Sequence, residues 1–318
     1  MPFPDLGDTK GALVRAIPLM LFLALGSAQS RAQGGADPAD QSAPAPQAMP
    51  AGAVGGMGDV NIFPKRVVIN DRQRVVSIGL YNRGTGPSDY EISLADRMMT
   101  EDGQLLDLAS VEDPAQRAAV STASAMLRWS PRRVVLQGND SQTVRVMARL
   151  PEGLPAGEYR SHFIATAIPP GGDGSFSIDD AAGATQETGI GVRIVPRFGI
   201  SIPVIVRVGE TTLAVAIRDV KLVALPQGEQ GISFTITRSG TRSAFGDIEV
   251  AAPGSKSPVA LLRGIGVYTE IGQRHVTIPL LPDANPALYR SGARLTVTYR
   301  DDDFAPGQLL AKQDYIVP

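Results

Sequence analysis

The 318-residue chain contains no cysteine. Disulfides, thiolate-bound metals, iron–sulfur clusters and a cysteine nucleophile are therefore excluded. Histidine is nearly absent as well. His162 and His275 stand far apart in sequence and do not supply the ligand set of a His-rich metal site. Neither sign of charge dominates: Lys and Arg total 30, Asp and Glu total 32, and the formal net charge is −2. No basic surplus points to nucleic acid, and no acidic run points to a solvating tail. Aromatic residues make up only 5 %, which argues against the aromatic platform of a glycan-binding module. A glycine-rich phosphate loop followed by Lys-Ser/Thr, a dinucleotide fingerprint and a Gly-x-Ser-x-Gly elbow are all missing. The expectation is a non-enzymatic protein without a cofactor or metal.

What is plentiful is glycine (34) and proline (25), within a chain that is 43 % apolar. That combination suits many short strands and turns around real cores. The length fits two domains plus a tail.

The first 32 residues have the order of a secretory signal. Lys10 and Arg15 precede an apolar run from Ala16 to Leu25, and Gly26, Ser27 and Ala28 follow. The run is shorter than the roughly 20 residues of a membrane span. Asp5 and Asp8 are unusual in such a charged region, and cleavage fits Ala28, Ser30 or Ala32; a retained anchor is the alternative. Residues 33–58, rich in Ala, Gly, Pro, Gln and Ser without apolar periodicity, read as a disordered leader.

From Asp59 onward, short Val- and Ile-rich segments alternate with turn residues, and no long helical period competes. The expected strands are Val60–Ile69 (broken at Pro64 and at a sheet edge), Arg74–Tyr81, Asp89–Arg97, Leu127–Leu136, Gln142–Leu150 and Glu158–Ile168, with a short helix somewhere in 105–125. Residues 169–188 read as a long exposed loop. A second set runs Leu213–Leu225, Gly231–Arg238, Phe245–Val250, Val259–Val267, Arg274–Leu280, Ala293–Tyr299 and Leu309–Val317. The prediction is an all-β protein of two immunoglobulin-like sandwiches in tandem, 59–208 and 209–318. Asp301-Asp302-Asp303 lacks the alternating ligands and distal Glu of a calcium loop. It reads as a solvated charged turn. His162 reads as structural, and Trp129 as a packing residue.

The segment between the two sets is the most informative. Ile190, Val192, Ile194, Pro196, Phe198, Ile200, Ile202, Val204 and Val206 are all apolar, at every second position. Strand side chains alternate between faces, so this predicts one long strand with a single apolar face. Its reach, roughly 55–60 Å, exceeds what one small sandwich covers. Two ordinary strands split near Pro196 or Pro203 are the alternative.

Several stretches now carry a resemblance. Phe63-Pro-Lys-Arg-Val67, Val76–Asn82, Tyr90–Leu94, Trp129–Leu136, Ser141–Val146 and above all Leu154–Phe163 with Ile168-Pro-Pro170 resemble the first domain of PapD-like periplasmic chaperones of the chaperone–usher pathway. The resemblance covers about residues 60–208; the second half is similar mainly in position and strand count.

The resemblance implies a periplasmic chaperone that lends a strand to a pilus subunit lacking its own last strand, then passes it to an outer-membrane usher. The implied donor residues are Ile190, Val192 and Ile194, with Phe198 beside them; Ile200–Val206 would stay in the chaperone's own sheet. It also implies two basic residues that hold the subunit's terminal carboxylate. Arg66 matches the first. Arg197 is taken as the second, with Arg207 as the alternative, since the family's usual lysine and short aromatic run are not found there. A guanidinium suits this task because it donates two parallel hydrogen bonds. Solvated strand-face charges are the competing view of both arginines. Self-association through an exposed apolar strand is compatible with the same features. A structural or adhesive tandem-sandwich surface component remains the alternative function.

Overall fold

Pro64 divides the first long strand between two sheets, and much of the first sandwich follows from that division. The computed structural model describes residues 54–55, 59–169 and 197–318. The first half contains β1 (Val54–Gly55), β2 (Val60–Phe63), β3 (Val67–Ile69), β4 (Val75–Asn82), β5 (Ser88–Ala95), β6 (Arg97–Met99) and β7 (Leu105–Asp107). Helix α1 (Pro114–Ala119), β8 (Leu127–Ser130), β9 (Arg133–Leu136), β10 (Ser141–Ala148), β11 (Gly157–Ile168) and β12 (Gly199–Val208) complete it. One sheet has the order β1-β2-β4-β10-β8 and the other β3-β12-β11-β5-β9.

Several strands, among them β4, β9 and β10, carry the period-two pattern that packs one face inward. In β4, Val76, Ile78, Leu80 and Asn82 are buried while Val75 and Ser77 are exposed. Ile62, Leu80, Val144 and Val146 from one sheet meet Tyr90, Leu136, Phe163 and Ile202 from the other in a single core. Asn82 is buried but satisfied: its amide donates to the Gly86 and Gln137 carbonyls at 2.8 and 3.0 Å.

The chain changes sheets at two prolines: the break at Pro64 is the expected one, and the break at Pro131 is not. Leu127–Leu136 is not one strand. It breaks at Pro131, so that β8 pairs with β10 in one sheet and β9 with β5 in the other. Likewise β2 pairs with β4, whereas β3 pairs in parallel with β12 at the edge of the opposite sheet. Proline has no N–H for a ladder, so the chain changes partner where the ladder would fail. β2 itself is not an edge strand, because Val54–Gly55, at the end of the stretch expected to be leader, pairs with it. The expected short helix is α1, capped by Asp113, whose carboxylate accepts from the Ala115 N–H at 2.8 Å.

The second half contains β13 (Ala214–Ala224), β14 (Gln230–Ser239), β15 (Ala244–Ala251), β16 (Ala260–Val267), β17 (Gln273–Pro279), β18 (Arg294–Asp301) and β19 (Leu309–Ile316). They form a β13-β14-β17 sheet and a β16-β15-β18-β19 sheet. Phe234, Ile248, Val250, Val297 and Tyr299 lie in the core between them. The Tyr299 hydroxyl donates to the Ile265 carbonyl at 2.8 Å. Ile205 of β12 and Met99 of β6 are buried in this second core, not the first. The two sandwiches therefore share apolar packing as well as a chain. The expected signal segment, most of the expected leader and the loop expected at 169–188 fall outside the described residues, apart from Val54–Gly55 and Pro169.

Candidate functional site

β12 has two edges and they are filled unequally. Along one edge it pairs antiparallel with β11 over its whole length, from Val208 opposite Gly157 to Gly199 opposite Thr166. Along the other, β3 pairs only with Val204, Ile205 and Val206. Among the described residues, Gly199–Pro203 has no strand on that side. The Ala167 N–H donates to the Phe198 carbonyl at 2.8 Å. Alternation along an antiparallel ladder then turns the Gly199 and Ser201 N–H groups toward the open edge. Pro203 occupies the next such position, where a missing N–H costs nothing to the β11 ladder. The strand consequently runs straight through Pro203, and the expected alternative of a split there does not occur.

Ile200, Ile202, Val204 and Val206 are buried in the first core. Phe198, just ahead of the strand, is 38 % exposed. Ile190, Val192 and Ile194, the other expected donor positions, lie outside the described residues.

The opposite face of β12 carries Ser201, Pro203, Ile205 and Arg207 and looks toward the second sandwich. Arg207 donates through Nε to Glu158 on β11 at 3.1 Å and also pairs with Asp303. Arg66 pairs with Asp302, donates to its carbonyl at 2.8 Å, and approaches Asp303 at 3.4 Å. Lys65 pairs with Asp302, Arg242 lies 3.9 Å from Asp301, and Ser243 donates to Glu158. Four cations thus meet four carboxylates across the junction.

The acidic turn is held in shape locally: the Asp301 side chain accepts from the N–H groups of Asp303 and Phe304 at 2.7 and 3.0 Å. Asp301–Asp303 was expected in solvent, yet Asp301 is 3 % exposed. The correction has a direct cause, since Arg66 and Arg207 of the first sandwich and Arg242 of the second offset the desolvation that normally keeps such a cluster in water. Burial lowers the Arg207 pKa, but Glu158 and Asp303 outweigh it and raise it overall. Phe304, 57 % exposed, lies under Arg207 and Arg242 at an open cleft that Val68 and Arg72 also line.

A second polar group lies beside the first. Arg160 on β11 pairs with Glu270 at 2.6 Å, stacks over Tyr268, and donates to the Arg97 carbonyl at 3.2 Å. Glu270 also accepts from the Met99 N–H at 2.8 Å. His162 is fully buried here, its Nε2 3.4 Å from the Tyr268 hydroxyl. Burial, with Arg160 and Arg97 adding repulsion, lowers its pKa to about 3. His162, read from the sequence as structural, is packed here as an interior residue against Tyr268. Trp129 donates to the Ile92 carbonyl at 3.0 Å and packs at the rim of the first core.

The expected anchor pair is not brought together. Val67 stands opposite Val204, which puts Arg66 level with Pro203. Arg197 lies six residues further along the chain, ~20 Å away if extended, and is exposed. It is Arg207, the alternative, that shares a carboxylate with Arg66, and the carboxylate is the chain's own Asp303. Sequence reasoning missed Arg97 altogether. Its Nη1 lies 3.4 Å from the Ser201 hydroxyl on the junction-facing side of the sheet. Unlike Arg66, Arg160, Arg207 and Arg242, it meets no carboxylate among the described residues.

Two outcomes are expected. Arg207→Met strands Glu158 in a site without solvent, so the unfolding free energy falls by about 3–5 kcal/mol; a loss below about 1 kcal/mol in urea titration contradicts the junction's role. His162 has a folded pKa near 3 against an ordinary 6.5. The unfolded chain therefore binds its proton first, and stability present above pH 6.5 is lost as pH falls toward 3. His162→Phe should flatten the stability–pH slope between pH 6 and 4 by up to about 1.4 kcal/mol per unit; an unchanged slope rules the assignment out.

No family profile matches the chain, and no characterised protein matches it in sequence. Solved structures similar to it include the YadV chaperone, at 14 % identity, covering 81 % of this chain and 100 % of that one, TM-score 0.39. Another is the Pseudomonas aeruginosa CupB2 chaperone, at 12 % identity, with coverages of 81 % and 100 % and TM-score 0.38. A third is the Salmonella enterica SafA pilin in complex with the SafB chaperone, at 11 % identity, with coverages of 83 % and 99 % and TM-score 0.37.

Proposed function

We propose that the protein is an exported, non-enzymatic chaperone of the periplasm that binds pilus subunits through the open edge of β12 and releases them to an outer-membrane usher. The observation that carries this is the half-filled edge: β3 covers Val204–Val206 and leaves Gly199–Pro203 without a neighbour among the described residues. An unpaired strand edge is a template for another strand, and natural sheets ordinarily blunt or cover it. Here the sequence does the opposite. Ahead of the edge the sequence puts apolar residues at every second position, Ile190, Val192 and Ile194, and Phe198 stands exposed just before the strand.

Strand addition of this kind uses main-chain hydrogen bonds for affinity and alternate side chains for fit. A subunit that lacks one strand of its own sandwich presents a matching edge and an apolar groove. Each aliphatic side chain buried in that groove contributes about 1.5–3 kcal/mol. Transfer to the usher then needs only a competing strand and no nucleotide, in keeping with a sequence that has no phosphate loop. The sequence resemblance names pilus subunits as the partner class.

The test is capture of pilus subunits from a periplasm in which they are expressed, using the tagged mature chain. Wild type is expected to co-elute with a β-rich subunit. Val192→Asp, which puts a charge into the apolar groove, should lower the yield at least about tenfold while leaving the chaperone's own unfolding unchanged. Equal capture by the folded variant removes the donor strand from the account. No capture by wild type favours the surface-component alternative.

A further inference from the structure

The sheet β3-β12-β11-β5-β9 faces the second sandwich; the sheet β1-β2-β4-β10-β8 turns its outer face away from it. The register fixes what stands on that outer face. Arg145 of β10 lies opposite Ser77 of β4 and Ser130 of β8, and Met147 lies opposite Val75 and Arg128. Arg149 follows, its N–H held by the Met126 carbonyl at 2.8 Å, and by alternation it shares the face. Three arginines therefore surround Met147, two along its own strand and one across, each within about 7 Å of it along the backbone lattice.

All three are exposed, as is Val75 at 48 %, while Met147 is half-buried. Arg128 donates through Nη1 to the Ala125 and Leu127 carbonyls at 3.0 and 2.7 Å. None of the three meets a carboxylate among the described residues. No Asp or Glu stands at an outward position of β2, β4, β8 or β10. In the opposite sheet, by contrast, the exposed Arg133 pairs with Asp89. The result is a local surplus of positive charge in a chain whose net charge is −2, a field that draws anions to this face.

The kind of anion follows from what else the patch offers. Both edges of β10 are taken, by β4 and β8, so no backbone group is open to an added peptide strand. A protein interface needs an apolar core with aromatic anchors, and here the apolar part is one methionine and one valine. A flat surface of phosphates needs neither an edge nor a large core. Guanidinium groups pair with phosphate through two parallel hydrogen bonds, and a small apolar centre enters the headgroup layer.

We propose that this face docks on an anionic phospholipid surface, with Arg128, Arg145 and Arg149 on lipid phosphates and Met147 and Val75 between the headgroups. The open edge of β12 lies in the other sheet and stays uncovered, so vesicle binding is expected whether or not a subunit is docked.

The test is flotation of the full mature chain with vesicles of phosphatidylcholine alone and of equal parts phosphatidylcholine and phosphatidylglycerol, at low and moderate salt. Wild type is expected to float with the anionic vesicles only, and less so as salt rises. Arg145→Gln should weaken binding about fivefold, and Arg128→Gln, Arg145→Gln and Arg149→Gln together on the order of a hundredfold. Arg290→Gln, an equal change of net charge in the second sandwich, should leave binding as it is. Should the triple variant lower the melting temperature, Arg145→Gln against Arg290→Gln carries the comparison. Equal flotation with both vesicles, a folded triple variant that floats like wild type, or an Arg290→Gln loss as large as that of Arg145→Gln overturns the proposal. So does a wild-type chain that ignores anionic vesicles and binds soluble polyglutamate through these arginines, which makes an acidic protein the occupant.

Discussion

Every strand in a sheet has two edges, and each buried N–H and C=O along them needs a partner. Among the described residues, that requirement is met in β12 on one side by β11 for ten residues and on the other by β3 for three. The shortfall arises because the first strand spends its opening residues in the opposite sheet and joins β12 only after Pro64. A first strand wholly in the sheet of β12 would have covered the edge. The division at Pro64 thus fills one sheet, leaves the other incomplete, and places the gap beside the junction of the two sandwiches.

The junction holds that gap in place. Arg207 and Glu158 lie on neighbouring strands of the first sandwich, and Asp303 comes from the β18–β19 turn of the second. Burying a lone charge is costly, whereas a balanced set with good geometry offsets much of that cost. Four cations against four carboxylates meet this condition. Ile205 and Met99 add apolar contact by packing into the second core. The face of β12 that looks across the junction is thereby committed to the second sandwich at Ile205 and Arg207 and left accessible only near Ser201 and Pro203. The accessible stretch of face and the open stretch of edge coincide.

Much of the fold was legible because a period of two survives in many of the strands: β4 and most of β12 can be assigned from their alternation alone. The two divided strands share one cause. Pro64 and Pro131 were seen, but proline in a sequence says that a ladder stops and not that the chain crosses to another sheet. The acidic triad was misplaced for a related reason. Like-charged runs stay in water unless opposite charges are brought to them, and the arginines responsible lie far away in sequence, at 66, 207 and 242. One local signal pointed the right way. Ile205 falls on the polar side of the alternation, within the unbroken run Ile202–Val206, and such a run marks a strand buried on both faces.

The open edge makes a sharp statement about individual amides. Hydrogen exchange of Gly199 and Ser201, followed by NMR in the free protein and in its complex with a captured subunit, tests it most directly. Fast exchange at both in the free protein, beside protected amides at Ile200 and Ile202, with strong protection at both gained in the complex, is the result the account predicts. Amides of Gly199 and Ser201 already protected in the free monomer, or still unprotected in the complex, would contradict it.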